Sequence, residues 1–252
     1  MRIFTAFFKK ELLEAWRTKK IFLLLIIFTI FGIMNPLVAK LTPEILKMSF
    51  GDSFPITEPT SIDSWMQFYK NMNQIGIYLF AIIFCGSVNQ EIAKGTLIPL
   101  VTKGLKRPIL ILSKAVTIYL QWLMSVFLSF GITYAYTLYY FPDGKSAYPW
   151  LALLPLLIFG CFLTCLIVFS STLAKNQFEA LLVIIAVIVI GYLVNLFDVV
   201  KDWNPISLIS ENTLILNDQR VFFDLVPGML VSLLLSIIFI YSSLLLIKNK
   251  KL

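Results

Sequence analysis

Six stretches of this chain are long, apolar and free of charge at their centres: residues 21–39, 73–88, 109–140, 150–173, 178–197 and 226–247. They run from 16 to 32 residues, and about 20 residues of helix, rising 1.5 Å each, cross a hydrocarbon core of about 30 Å. With 59% apolar residues in 252, spans and connectors use up the length, so no large soluble domain remains. The expectation is an all-α integral membrane protein of one domain, residues 1–252, with six transmembrane helices. The first run is read as a retained span, because Leu37 stands where cleavage after Ala39 would want a small residue.

Charge sorts by loop. With the N-terminus inside, inner segments hold 15 Lys/Arg against 4 Asp/Glu and outer segments 6 against 10. That is the positive-inside asymmetry, and it puts both termini in the cytoplasm. The net charge of +7 is then a topology signal and not a nucleic-acid footprint.

Residues 1–20 read as an amphipathic interfacial helix, with Phe4, Phe7, Phe8, Leu12 and Ala15 on one arc and Arg2, Lys9, Lys10 and Arg17 on another. Glu11 breaks the apolar arc; it either snorkels or pairs one turn away, or it forms an ion pair with a neighbouring loop. Pro36 is expected to end or kink the first span. Trp65, Phe68 and Tyr69 suggest a short helix resting at the outer interface before the second span. The third run, 32 residues and thus about 48 Å of helix, is too long for the core. Either it tilts strongly or one end protrudes; with Gln121 and Trp122 as the inner boundary, 109–120, with Lys114, would extend into the cytoplasm and need a protein partner. Residues 174–177 form a tight inner turn, residues 198–252 an outer loop and the sixth span, and 206–216 is apolar enough to dip into the outer edge.

Ser113, Thr117, Gln121, Ser125, Ser129, Thr133 and Thr137 recur every fourth residue in the third span, a continuous ridge. Such a ridge either packs helices or lines a polar path; Gln121, Ser125, Ser129, Thr133 and, on the fifth span, Asn195 are the candidate path or packing residues.

The inner loop 89–108, NQEIAKGTLIPLVTKGLKRP, is a helix–break–helix hairpin: Gly95 ends a short helix and Pro108 opens the third span. Its Glu91-Ile92-Ala93-Lys94-Gly95-Thr96-Leu97, followed by Leu100, Thr102, Lys103 and Arg107, resembles the cytoplasmic coupling helix of type-two ATP-binding-cassette exporter permeases. Pro99 and Gly104 depart from that pattern. The resemblance implies two permeases, alike or related, with two ABC ATPase subunits in a bacterial plasma membrane, and an ATPase-coupling site of Glu91, Lys94, Gly95, Thr96, Leu97, Lys103 and Arg107. Glu91 would anchor a basic partner or the N-terminal helix, with a local pair to Lys94 as the alternative. The chain has no GxxxxGK[ST] loop, so ATP and Mg would sit on the partner, and no cofactor is expected here.

With no His and no paired acids inside the runs, Ser-His, His-metal and aspartyl enzymes are excluded. Cys161 and Cys165 lack the further ligands of a metal site. A secondary transporter or channel would want ionisable groups at midplane. The apolar interior without a charged site suits amphipathic or lipid-like cargo, and the resemblance to exporter permeases implies a peptide toxin or antimicrobial peptide, with lipid or drug extrusion the alternative.

Overall fold

The computed structural model describes residues 2–50, 58–97, 99, 102, 106–146, 148–217 and 219–250. Among them there is no strand, and six helices are long and apolar enough to cross a membrane. The order is α1 (Arg2–Arg17), α2 (Lys20–Phe50), α3 (Ser61–Asn71), a π-turn (Met72–Gly76), α4 (Ile77–Phe84), α5 (Asn89–Ala93), α6 (Arg107–Tyr140), α7 (Pro149–Leu173) and α8 (Gln177–Val194). Short helices α9 (Asp198–Lys201), α10 (Ser207–Ser210) and α11 (Asn212–Leu216) and a 3-10 turn (Phe222–Leu225) lead into α12 (Val226–Asn249).

α7 is the centre of the bundle. It packs on α12, α6, α8 and α4, and its apolar window is 72% buried where that of α8 is 17% buried, so most of the apolar surface of α8 stays exposed. One slot on α7 is set by Gly160. The Trp122 indole lies against its backbone, fully buried, with Phe80 edge-on at 5.1 Å and Phe28 at 6.5 Å. Trp122 is therefore a core residue and not the interfacial marker its composition suggested.

Two further expectations change. α2 does not end at Pro36 but continues through it and Pro43 to Phe50. Breaking the helix there would free backbone groups that lipid cannot satisfy. Nor do Trp65, Phe68 and Tyr69 rest at an interface. α3 runs through the π-turn straight into α4, a continuous candidate span Ser61–Ala93, and all three aromatics are buried against Phe130 and each other. The Tyr69 hydroxyl donates to the Pro149 carbonyl at 2.7 Å, which satisfies its one polar atom.

The polar ridge of α6 is buried at every step from Ser113 to Thr137. Its C-terminal half is a seam with α2 and α3. Thr133 donates to the Gly32 carbonyl at 3.1 Å, Asn35 donates to Thr133 Oγ1 at 3.3 Å, Asn71 donates to Asn35 Oδ1 at 2.7 Å, and Ser64 and Thr137 hydroxyls meet at 2.6 Å. Gly32 permits the approach, since a Cβ there would stand 2.8 Å from the Ile132 Cβ.

The segment after α8 folds back onto the bundle. α10 and α11 pack on α7, and α11 also packs on α3. Buried Glu211 is held by Lys201 and Arg220, and Arg220 also reaches Asp202.

Candidate functional site

α1 and α2 part at Thr18–Lys19, where Lys19 adopts a left-handed φ of 60° and the Thr18 hydroxyl closes onto the Glu14 carbonyl at 2.8 Å. The bend lays α1 across the first turns of α6. Phe7, Glu11 and Ala15 face inward and are buried, while Leu13 and Trp16 stay exposed between Lys9 and Arg17. The chain's own N-terminal helix thus packs on the apolar start of α6, where Leu110 and Ile111 are buried while Leu112 and Val116 remain exposed.

That packing buries Lys114, 3% exposed, beside Glu11 and Glu91, each 8% exposed. Its ammonium donates to Glu11 Oε2 at 3.0 Å and to Glu91 Oε1 at 2.9 Å. Lys10 donates to Glu11 Oε1 and to Glu91 Oε1, both at 3.0 Å, and pairs with Glu14 Oε2 at 2.6 Å. The result is a closed ring, Lys10–Glu11–Lys114–Glu91, joining α1, α5 and α6. Burial opposes the charged form of Lys10, but its hydrogen bond to Glu14 and the charges of Glu11 and Glu91 outweigh it and raise its pKa. For Glu14 burial pushes upward, yet the hydrogen bond to Lys10 and the nearby lysine charges prevail and lower it. Carboxylate oxygens of Glu11, Glu14 and Glu91 lie within 4.8 Å of one another. Ammonium groups bridge them, which makes the trio part of an ion-pair network.

The loop residues singled out from sequence build the hairpin's first half. α5 ends in a Schellman turn: Gly95 takes φ +65°, its N–H donates to the Ile92 carbonyl at 3.0 Å, and the Thr96 N–H donates to the Glu91 carbonyl at 3.1 Å. The Thr96 hydroxyl adds a bond to the same carbonyl at 3.2 Å, Leu97 is buried and Lys94 is exposed. Glu91 turns away from Lys94 toward the ring. Residues 98, 100, 101 and 103–105, and with them Lys103 and Gly104, lie outside the described residues.

Contacts that the sequence did not signal fix α5 from two other sides. Ser171 Oγ on α7 accepts from the N–H groups of Val88 at 2.9 Å and Asn89 at 3.2 Å, and Gln90 donates to Gln177 Oε1 of α8 at 2.6 Å. Arg107 caps α12, donating to the carbonyls of Ile247, Lys248 and Lys250 at 2.9 Å each. Lys250 in turn caps α7 through the Thr172 and Ala174 carbonyls, as cations favour helix C-termini.

Beside the ring lies a cavity of about 250 Å³ lined by Glu14, Lys20, Ser87, Glu91, Thr117 and Gln121 among others. Gln121 is thus at this cavity, whereas Thr133 belongs to the α2 seam and Ser125 is buried with its hydroxyl on the Gln121 carbonyl. Ser129 is buried within the same ridge. Asn195 ends α8, donating to Ser210 Oγ at 3.2 Å and accepting from Asn204 at 3.3 Å.

These features define a multi-pass membrane protein in which a buried ionic network ties a loop to two helices. Over 149 residues the chain is 26% identical to the uncharacterized transmembrane protein YxlG of Bacillus subtilis (strain 168). The matched stretch spans 58% of this chain and 58% of the relative. No protein-family model matches the chain.

Proposed function

We propose that this chain is the permease subunit of an ATP-driven ABC exporter, moving amphipathic cargo such as a toxin or antimicrobial peptide out of the cell. A separate ATPase binds ATP and Mg and hydrolyses the nucleotide. α1, the 89–108 hairpin and both termini lie on the cytoplasmic side, where the basic segments concentrate.

One observation carries the reading: α5, five residues long, is bonded to α1 through Lys10, to α6 through Lys114, to α7 through Ser171 and to α8 through Gln177. A generic basic loop needs no such attachment. A hairpin that receives a push from an ATPase does, because force enters a bundle only through contacts stiff enough to move several helices together. Lys94, exposed at the hairpin's turn, and Lys103 would meet the partner's acids.

Pull-down of the tagged chain from detergent-solubilised membranes is the test. A Walker-motif ATPase is expected to co-purify, and Glu91→Lys, which reverses charge inside the ring, is expected to abolish substrate-stimulated ATP hydrolysis by the reconstituted complex. Transport by the purified chain alone in vesicles, without any ATPase, would overturn the proposal.

A further inference from the structure

At the end of the bundle opposite α1, a cavity of about 640 Å³ opens between α2, α3, the last turns of α8 and the α10–α11 segment. That volume is in the range of small-molecule sites. Gln67, Asn73, Gln74 and Ser210 supply polar groups to its wall, and Leu46 and Tyr192 supply apolar surface.

Asn73 sits in the π-turn Met72–Gly76, a kind of distortion that recurs at functional sites because it re-aims side chains off the helical register. Its amide nitrogen donates to the Ile209 carbonyl and, at 3.1 Å, to Asn212 Oδ1. Its Oδ1 accepts nothing, although the residue is only 9% exposed. The unmet group is an acceptor, so a ligand seated there must donate. Two turns apart on α3, Asp63 and Lys70 also line the cavity, giving its rim one charge of each sign. Asp63 is partly engaged, accepting from the Thr60 N–H at 2.8 Å and hydroxyl at 2.9 Å. A balanced rim disfavours a simple cation or anion and suits a zwitterion.

We infer that this cavity binds a zwitterionic membrane lipid with an N–H donor, an aminoethyl phospholipid of the adjoining leaflet. The amine meets Asn73 Oδ1, the phosphate meets Lys70, and the acyl region lies on the apolar wall. The inference requires only that these helices sit in a bilayer, so it stands or falls apart from the exporter reading and needs no ATPase.

The test uses the full chain, equilibrated with vesicles holding equal amounts of phosphatidylethanolamine and phosphatidylcholine, then read by native mass spectrometry for retained lipid. The two head groups differ in N–H donors, and the ethanolamine lipid should be preferred about fivefold, the ratio expected of one hydrogen bond. Asn73→Leu should erase the preference. Met66→Trp, at an exposed lining position that leaves the Asn73 bonds intact, should lower retention of the ethanolamine lipid and decides the matter if Asn73→Leu does not fold. Equal retention of the two lipids by the unmodified chain, a preference unchanged in folded Asn73→Leu, or ethanolamine-lipid retention unchanged in Met66→Trp would overturn the inference.

Discussion

Lys114 gives the sharpest test of the ionic ring. Replacing it with methionine keeps most of the stem's volume and removes one charge from a residue 3% exposed. Glu11, Glu14 and Glu91 would then share the single ammonium of Lys10, so the local charge falls from −1 to −2. Removing one partner of a buried pair costs about 3–5 kcal/mol, because the other charge is left buried. The Lys10 side chain is 38% exposed and draws water to that side of the ring, which favours the lower end, about 3 kcal/mol. Since 1.4 kcal/mol is tenfold, the docking equilibrium of α1 should shift about 100-fold. Hydrogen exchange of the chain in bilayer discs reads this directly, as a matching loss of protection in the slowest amides of α1. Combining Lys114→Met with Glu11→Gln and Glu91→Gln should restore much of it, because no unpaired buried charge remains. Unchanged α1 protection in Lys114→Met would refute the claim that this ring holds the helix.

Gly160→Ala should destabilise the bundle core. The added Cβ would fall inside the Trp122 indole, and overpacking of this kind costs about 1–3 kcal/mol, visible as a lower thermal midpoint in detergent. The pH dependence of α1 docking follows from two opposed shifts. Glu14, lowered from 4.5, contributes above that value and is lost as pH falls through its folded pKa. Lys10, raised from 10.5, contributes below that value and is lost only as pH rises through its folded pKa. Exchange protection of α1, corrected for the intrinsic rate, should therefore be flat between those limits and weaken in acid.

Much of the candidate site could be read locally. Gly95 reads as the end of a short helix because a left-handed C′ position favours glycine, and Pro108 reads as a helix start because the first turn has no use for its missing N–H. Glu11 was conspicuous as a charge on an apolar arc, but its partner was not. Lys114 lies 103 positions away, and Lys10 and Glu91 are 81 apart, so no spacing rule connects them. Ser171 gave no signal at all, since a serine near a helix end has many uses and only the fold brings α5 onto it.

What the sequence alone determined is the set of spans. Transfer of apolar surface and satisfaction of backbone groups are local costs, summed residue by residue along a helix, so length and hydropathy suffice. The tertiary structure decided the rest: which aromatic rings leave the interface for the core, whether Pro36 breaks a helix, and how five charges close around one another. Those outcomes depend on energies between residues remote in the chain, such as the slot Gly160 opens for Trp122 or the carboxylates α1 brings to Lys114.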